Sequence, residues 1–258
     1  MNYFDDEGRI LEHLQLTGFS YAVFPESDKD ANQVLLGIMD IENKSGWVNT
    51  SGKRELPPDY ICKEQNLMME VMRVDDHARI GKKGIPVNPT NTRESQLQKE
   101  WDSIFPGTPK FINAISDLKG LEDHNYRYYI ENFQRVVNRH KERIPSYRNN
   151  KPDYRLIFYV CDESSLYMEA DDALAAQIGI RDGQRVVGRK HLYPLDKNMM
   201  CCLGNCDIDF LIWHTPFKRY FYTSEADQLP KVCIINLHTF RWETLIDYRI
   251  EHMMSMEE

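Results

Sequence analysis

Apolar positions along this chain change texture near residue 147. Before that point they recur mostly at helical spacing, and after it they gather into short runs between turn residues. Asp5 or Asp6 is expected to cap a first helix carrying Ile10, Leu11 and Leu14 on one face and closed by Gly18; Glu7 reads as a first-turn acid favoured by the helix dipole. Tyr21 to Phe24 and Val34 to Ile41 read as strands, the second apolar on both sides and therefore buried, with a polar turn from Pro25 to Asn32 between them. Asn66 to Asp75 is a third strand, and Gly81-Lys82-Lys83-Gly84 a basic hairpin or loop. Asn91 and Thr108 open two further helices, with stripes Leu97, Trp101, Ile104 and Phe111, Ile112, Ile115, Leu118. The longest periodic segment runs from about Glu122 to Arg143, with Tyr126, Tyr129, Ile130, Phe133, Val136, Val137 and His140 on its apolar face and Pro145 as its stop. Beyond a polar connector, Leu156 to Cys161 reads as a central strand and Asp171 to Ile178 as a short helix. Strands are expected at 186–187, 191–193, 209–213 and 231–237, and a helix over the tail from Glu243 to Met256.

These elements predict an α/β or α+β fold, a mixed sheet flanked by helices, with a long helix near 122–143 and a strand-rich C-terminal part. A division into 1–147 and 148–258 follows the change of texture, with the halves able to share one sheet. The net charge of −8 argues against a surface that coats nucleic acid all over, and leaves room for a local basic groove. No apolar run reaches the length of a membrane span, and the acidic start, Asp5-Asp6-Glu7, lacks the form of a signal peptide. Six cysteines, three of them close together, do not form a secreted disulfide framework; the expected setting is cytoplasmic and reducing. Oligomeric state is not legible.

The stretch from Leu56 to Asp76 carries the chemistry. Pro58-Asp59 is followed, after a gap, by the apolar run Leu67-Met68-Met69 leading into Glu70-Val71-Met72. This order resembles the PD-(D/E)xK nuclease superfamily over about the first 100 residues, where helix, strand, strand and strand come in the expected order. The resemblance implies Asp59 and Glu70 as catalytic residues and metal ligands, with Mg²⁺ or Mn²⁺ as cofactor and DNA or RNA as substrate or partner. Two carboxylates on adjacent strands suit that chemistry, because a hard cation takes oxygen ligands and offsets charge on the phosphate. In the family a lysine follows the second acid by two positions, on the same strand face. Met72 stands there in this chain, and Arg73 faces the other side. A lysine from elsewhere would have to serve, with Lys63, Lys82, Lys83 and Lys99 as candidates; otherwise the site is weakened or lost. The other reading of the stretch is an ordinary strand preceded by turn chemistry.

From Arg135 to Arg155 the chain is locally basic. Arg135, Arg139, Lys141, Arg143 and Arg148, with Lys151 and Arg155, outnumber Glu142 and Asp153, and Tyr147 and Tyr154 are interleaved. Such a segment would grip a phosphate backbone and stack bases, or form a solvated helix face. Three weaker constellations remain. Cys202 and Cys206 with His191 or His214 would suit zinc, but the paired C-x₂-C units of a ribbon are absent and zinc is disfavoured. Asp162 and Glu163 follow the central strand and would form a second carboxylate site with Glu169 or Asp209, or Cys161 a nucleophile with a histidine. Trp213 to Tyr222 is rich in aromatics and cations, as a binding surface or a core edge. No Walker loop, dinucleotide fingerprint or nucleophile elbow occurs. The functional expectation is a nuclease-like, metal-dependent protein that cleaves or binds nucleic acid, degenerate if the lysine has no substitute. The alternative is a non-catalytic binding or assembly protein.

Overall fold

The computed structural model describes residues 21–39, 46–50, 58–76, 79–80, 86–87, 124–171, 188–216, 218 and 229–256. The helices expected at 5–18, 91–104 and 108–120, the one expected after Asp171, and the strand at 186–187 lie outside these residues. In chain order the strands are β1 (Tyr21–Phe24), β2 (Trp47–Asn49), β3 (Tyr60–Cys62), β4 (Leu67–Val74), β5 (Arg79–Ile80), β6 (Pro86–Val87), β7 (Arg155–Asp162), β8 (Tyr167–Ala170), β9 (Gly188–Lys190), β10 (Phe210–His214), β11 (Val232–Asn236) and β12 (Met253–Ser255). The helices are α1 (Lys29–Met39), α2 (Tyr126–Lys141), α3 (Ile144–Asn150) and α4 (Lys197–Met200), joined by short 3₁₀ turns.

Among the described residues the main sheet has seven strands in the order β1-β11-β10-β7-β4-β3-β2; β12-β8-β9 and β5-β6 form two smaller sheets. It is a mixed sheet, and the fold is α+β. Its centre, β4, β7 and β10, is parallel, while β3 runs antiparallel to β4 and β11 antiparallel to β10. Strands from both sides of residue 148 therefore alternate in one sheet. The long apolar runs follow from this position. Leu156, Phe158 and Val160 of β7 face one core and Ile157, Tyr159 and Cys161 the other, all at 1% exposure or less. One core packs α2, α3 and the turns around α4 against the sheet, with Phe133 stacked on Trp213 at 4.6 Å. The other holds α1.

Four expectations are corrected. Val34 to Ile41 was expected as a buried strand, yet most of it lies in α1. Ala31, Val34, Leu35 and Ile38 are buried at the three-and-four spacing of a helix, while Leu36 is 46% exposed. The start signal lies in the segment read as a turn: Asp28 Oδ1 accepts from Ala31 N at 2.9 Å, an N-cap bond. Pro145 does not simply stop the long helix; α2 ends at Lys141 and Pro145 enters the first turn of α3, where its missing N–H is no loss. The tail is not a helix but two 3₁₀ turns and β12, because Met253 to Ser255 pair with β8. Likewise, 191–193 is not a strand: β9 ends at Lys190 and a 3₁₀ turn begins at Tyr193.

Asp28 does more than cap α1. Its Oδ2 accepts from Asn236 Nδ2 and Thr239 Oγ1, both at 2.8 Å, tying α1 to the end of β11. Burial opposes the charged form, but these bonds and the capping bond outweigh it and hold the carboxyl below its ordinary range. Asp28→Ala is expected to cost about 1–2 kcal/mol, as loss of a helix cap does. Urea denaturation measures it, and a midpoint equal to that of the wild type would show that the cap carries no stability. No helix among the described residues is long and apolar enough to cross a membrane.

Candidate functional site

The hairpin of β3 and β4 assembles the acid pair. Tyr60, Ile61 and Cys62 pair with Met69, Met68 and Leu67, so that Asp59 stands just outside the paired residues while Glu70 lies within β4. Asp59 lies just before β3, and its Oδ2 accepts from Val71 N at 2.8 Å. Asn66, at φ 50°, closes the turn in the left-handed region that asparagine tolerates. Along β4 the faces alternate. Leu67, Met69 and Val71 join the core of α1, while Met68, Met72 and Val74 join that of α2, and Glu70 shares their face.

Glu70 is 2% exposed and sits under the carboxyl end of α2. His140 Nδ1 is 2.6 Å from Glu70 Oε1, and Arg143 Nη1 donates to the same oxygen at 3.4 Å. The Tyr147 phenol lies close to Glu70. Burial, then the charge of Glu70, pushes the Tyr147 phenol up from its ordinary value. The Arg143 guanidinium is held protonated more firmly than usual, by its bond to Tyr147 first and also by the negative charges of Glu70 and Asp59. Glu70, His140, Arg143 and Tyr147 thus meet where β4 passes the helix junction, with Asp59 close enough for its charge to act on Arg143. The sequence signal for His140 was its place at the end of an apolar helix face; the matching signal for Glu70 was an acid in an otherwise apolar strand.

Met72, in the position of the motif lysine, is 2% exposed within the α2 core. Arg73 faces the other side, paired with Glu163. Lys63 is exposed in the hairpin turn, and Lys82, Lys83 and Lys99 lie outside the described residues. Among the described residues no group of three or more His, Cys, Asp or Glu side chains is arranged to hold a metal ion. Two carboxylates remain. Mg²⁺ is commonly held by one or two carboxylates with water and substrate phosphate, whereas zinc takes four ligands in structural sites.

The basic segment is divided by the fold. Arg148 is committed to Asp207 at 2.8 Å and Asp209 at 2.9 Å, and Arg155 to Asp30 at 2.7 Å. Lys141 Nζ donates to the carbonyl of Cys202, and Arg143 turns to Glu70. Arg135 and Arg139 are exposed on α2. Of the five candidate phosphate contacts, Lys141, Arg143 and Arg148 are thus engaged by neighbouring groups, and Arg135 and Arg139 are exposed.

The carboxyl ends of the central strands hold a second set of acids. Asp162 ends β7 and Glu163 follows it, each bound to a different partner. Asp162 is fully buried and paired with Lys218 Nζ at 2.8 Å, a residue the sequence reading did not single out beyond the aromatic run around it. Glu163 pairs with Arg73, and burial first of all pushes its carboxyl up. Glu169 is held instead by Arg189 and Arg249. Asp209 lies at the amino end of β10, where it accepts from Leu156 N at 2.6 Å, so it is a strand length from Asp162. Cys161 is completely buried, and burial pushes its thiol well above the ordinary value, the opposite of an activated nucleophile. His191 is bound to Asp196 at 2.7 Å and His214 to Tyr159 at 2.6 Å, whereas Cys202 lies by Lys141 of α2. Burial pushes the Cys202 thiol up to about 12.

No protein-family model matches this chain, and neither a curated protein nor a solved structure was found to match it.

Proposed function

We propose that the chain is a nuclease-like protein acting on a nucleic-acid phosphodiester, with Asp59 and Glu70 as the carboxylates that hold a divalent cation of the Mg²⁺ or Mn²⁺ type. The observation that supports the reading is that Arg143 feels the negative charge of both Glu70, within β4, and Asp59, just before β3. The order of elements read for the resemblance is not kept, since its first helix lies outside the described residues and its second strand is α1; Asp59 before β3 and Glu70 within β4 remain, and α2 then leads to β7, parallel to β4. When bound, such a cation lowers the pKa of water and offsets charge on the phosphate. The chain's own residues do the rest: Asp59 is fixed by Val71 N, Glu70 by His140, and both lie against a rigid sheet.

Calorimetric titration with MgCl₂ or MnCl₂ tests this. Wild type is expected to give a saturable heat that Glu70→Ala loses. Equal heats in the two proteins, or none in either, would remove the metal site.

A second reading has its own observation. Glu70 is buried and engaged by His140, Arg143 and Tyr147, as a structural lock between sheet and helix would be. On that reading the chain is a non-catalytic binding or assembly protein. It gives no metal heat, cleaves neither DNA nor RNA with any divalent ion, and forms a defined oligomer or complex by light scattering.

A further inference from the structure

We propose that the groove where β1 turns toward α1 binds a free aromatic α-amino acid, with Arg241 on its carboxylate and Glu26 on its ammonium. The groove has a volume of about 460 Å³, inside the range of about 300–1,000 Å³ that small-molecule sites occupy. It opens beyond the carboxyl ends of β1 and β11, which run parallel with Phe24 beside Ile235. Ligands of open sheets gather at such ends, in the crevice left where the chain turns away from the strands. None of its lining residues is Asp59, Glu70 or one of their partners, so the site is independent of the nuclease-like reading.

Three segments build it. β1 ends in the half-buried Phe24, and Pro25 turns the chain toward α1. Leu195 comes from the 3₁₀ turn before α4, and Phe240 from the loop after β11. Phe240 stands edge-on to Trp242 at 5.2 Å, which fixes that wall. Phe24, Pro25, Leu195 and Phe240 thus give the groove an apolar lining, and an aromatic ring laid on it removes both surfaces from water. Glu26 and Arg241 line the same groove and are exposed. They carry opposite charges, yet among the described residues neither forms an ion pair with the other or with a third side chain. An anionic ligand would make no use of Glu26, and a cationic one none of Arg241. A zwitterion with an apolar arm uses both charges and the lining between them. The planar guanidinium fork matches the two oxygens of a carboxylate, and the Glu26 carboxylate accepts from an ammonium.

Calorimetric titration of the full chain tests this. L-Phenylalanine is expected to give a saturable heat. 3-Phenylpropionate lacks the ammonium and 2-phenylethylamine lacks the carboxylate; each is expected to bind about tenfold more weakly, the loss of one charged hydrogen bond. Glycine, without the apolar arm, is expected to give no heat. Arg241→Met should weaken L-phenylalanine about tenfold and leave 2-phenylethylamine unchanged. Glu26→Gln should weaken L-phenylalanine likewise and leave 3-phenylpropionate unchanged. Both side chains are exposed, so the thermal midpoints of the two variants are expected to equal that of the wild type. A wild type that gives no heat with L-phenylalanine overturns the inference. So do equal affinities for L-phenylalanine and either of its one-charge analogues, and variants that bind L-phenylalanine as the wild type does. A variant that loses affinity for all three aromatic probes together with its thermal midpoint also overturns it, because that residue would then be a fold contact.

Discussion

Asp162→Ala is expected to lower the unfolding free energy by about 3–5 kcal/mol, the range for removing one member of a buried ion pair. Asp162 is 0% exposed and Lys218 2%. Oδ2 accepts from Lys218 Nζ at 2.8 Å, Trp213 Nε1 at 2.9 Å and Tyr129 OH; Oδ1 accepts from the Ser164 N–H at 3.0 Å and its hydroxyl at 2.6 Å. The Lys218 ammonium lies 4.6 Å from the Tyr129 ring centroid and 5.3 Å from that of Tyr193, whose π-faces add to its stabilisation. Removing the carboxylate strands this ammonium without water and leaves a row of donors unsatisfied. Lys218→Met is expected to be comparably harmful. The double variant should lose less than the sum, because the second change deletes the charge that the first exposed. Urea denaturation with an unchanged slope is the measurement. Strictly additive losses, or a loss below about 1 kcal/mol for either single change, would show that the pair is not coupled as its geometry implies.

Asp76→Asn should cost about 2–4 kcal/mol at neutral pH, because several hydrogen bonds to one buried charged group are involved. Asp76 is 0% exposed just beyond β4. Its Oδ2 accepts from Ser165 N at 3.0 Å, Ser165 Oγ at 2.6 Å and Tyr167 OH at 2.6 Å, and its Oδ1 lies 3.1 Å from His124 Nδ1. Burial alone would push the carboxyl up. The His124 bond and charge, with Ser165 and Tyr167, win and hold it well below the usual carboxylate range. For a group depressed on folding, the unfolded chain binds the extra proton. Its contribution is therefore complete above the unfolded value of about 4 and falls away as pH drops toward the lower folded value. The gap between wild type and Asp76→Asn should thus narrow in urea titrations taken from neutral pH down through that window. A gap of constant size would mean that the charge of Asp76 is not what the site uses.

Much of the frame was readable in the chain. Leu156 to Cys161, Phe210 to Trp213 and Val232 to Ile235 are apolar on successive residues, and only strands covered on both faces require that. The periodic face from Tyr126 to Val137 could hardly be anything but a helix on a core. α1 was misread because its apolar stretch is short and contains the off-face Leu36, which makes four buried helical positions look like a continuous run. The tail was misread because its helical spacing gave way to backbone pairing with β8.

The acids of the site were legible as an order, Asp59 before a strand and Glu70 within the next, and two-residue alternation was enough to send Arg73 to the far side of the missing lysine. The partners of those acids were not legible. His140 lies 70 positions from Glu70 and Arg143 lies 73, and Lys218 lies 56 from Asp162. Local pattern reports which face a residue occupies, because period and burial act between neighbours in the chain. Which charge meets which across that face depends on strand order, helix break and crossover. Leu56 to Asp76 thus specified an acid before one strand and an acid within the next; the packing of α2 and α3 on β4 determined that an arginine and a histidine stand beside Glu70.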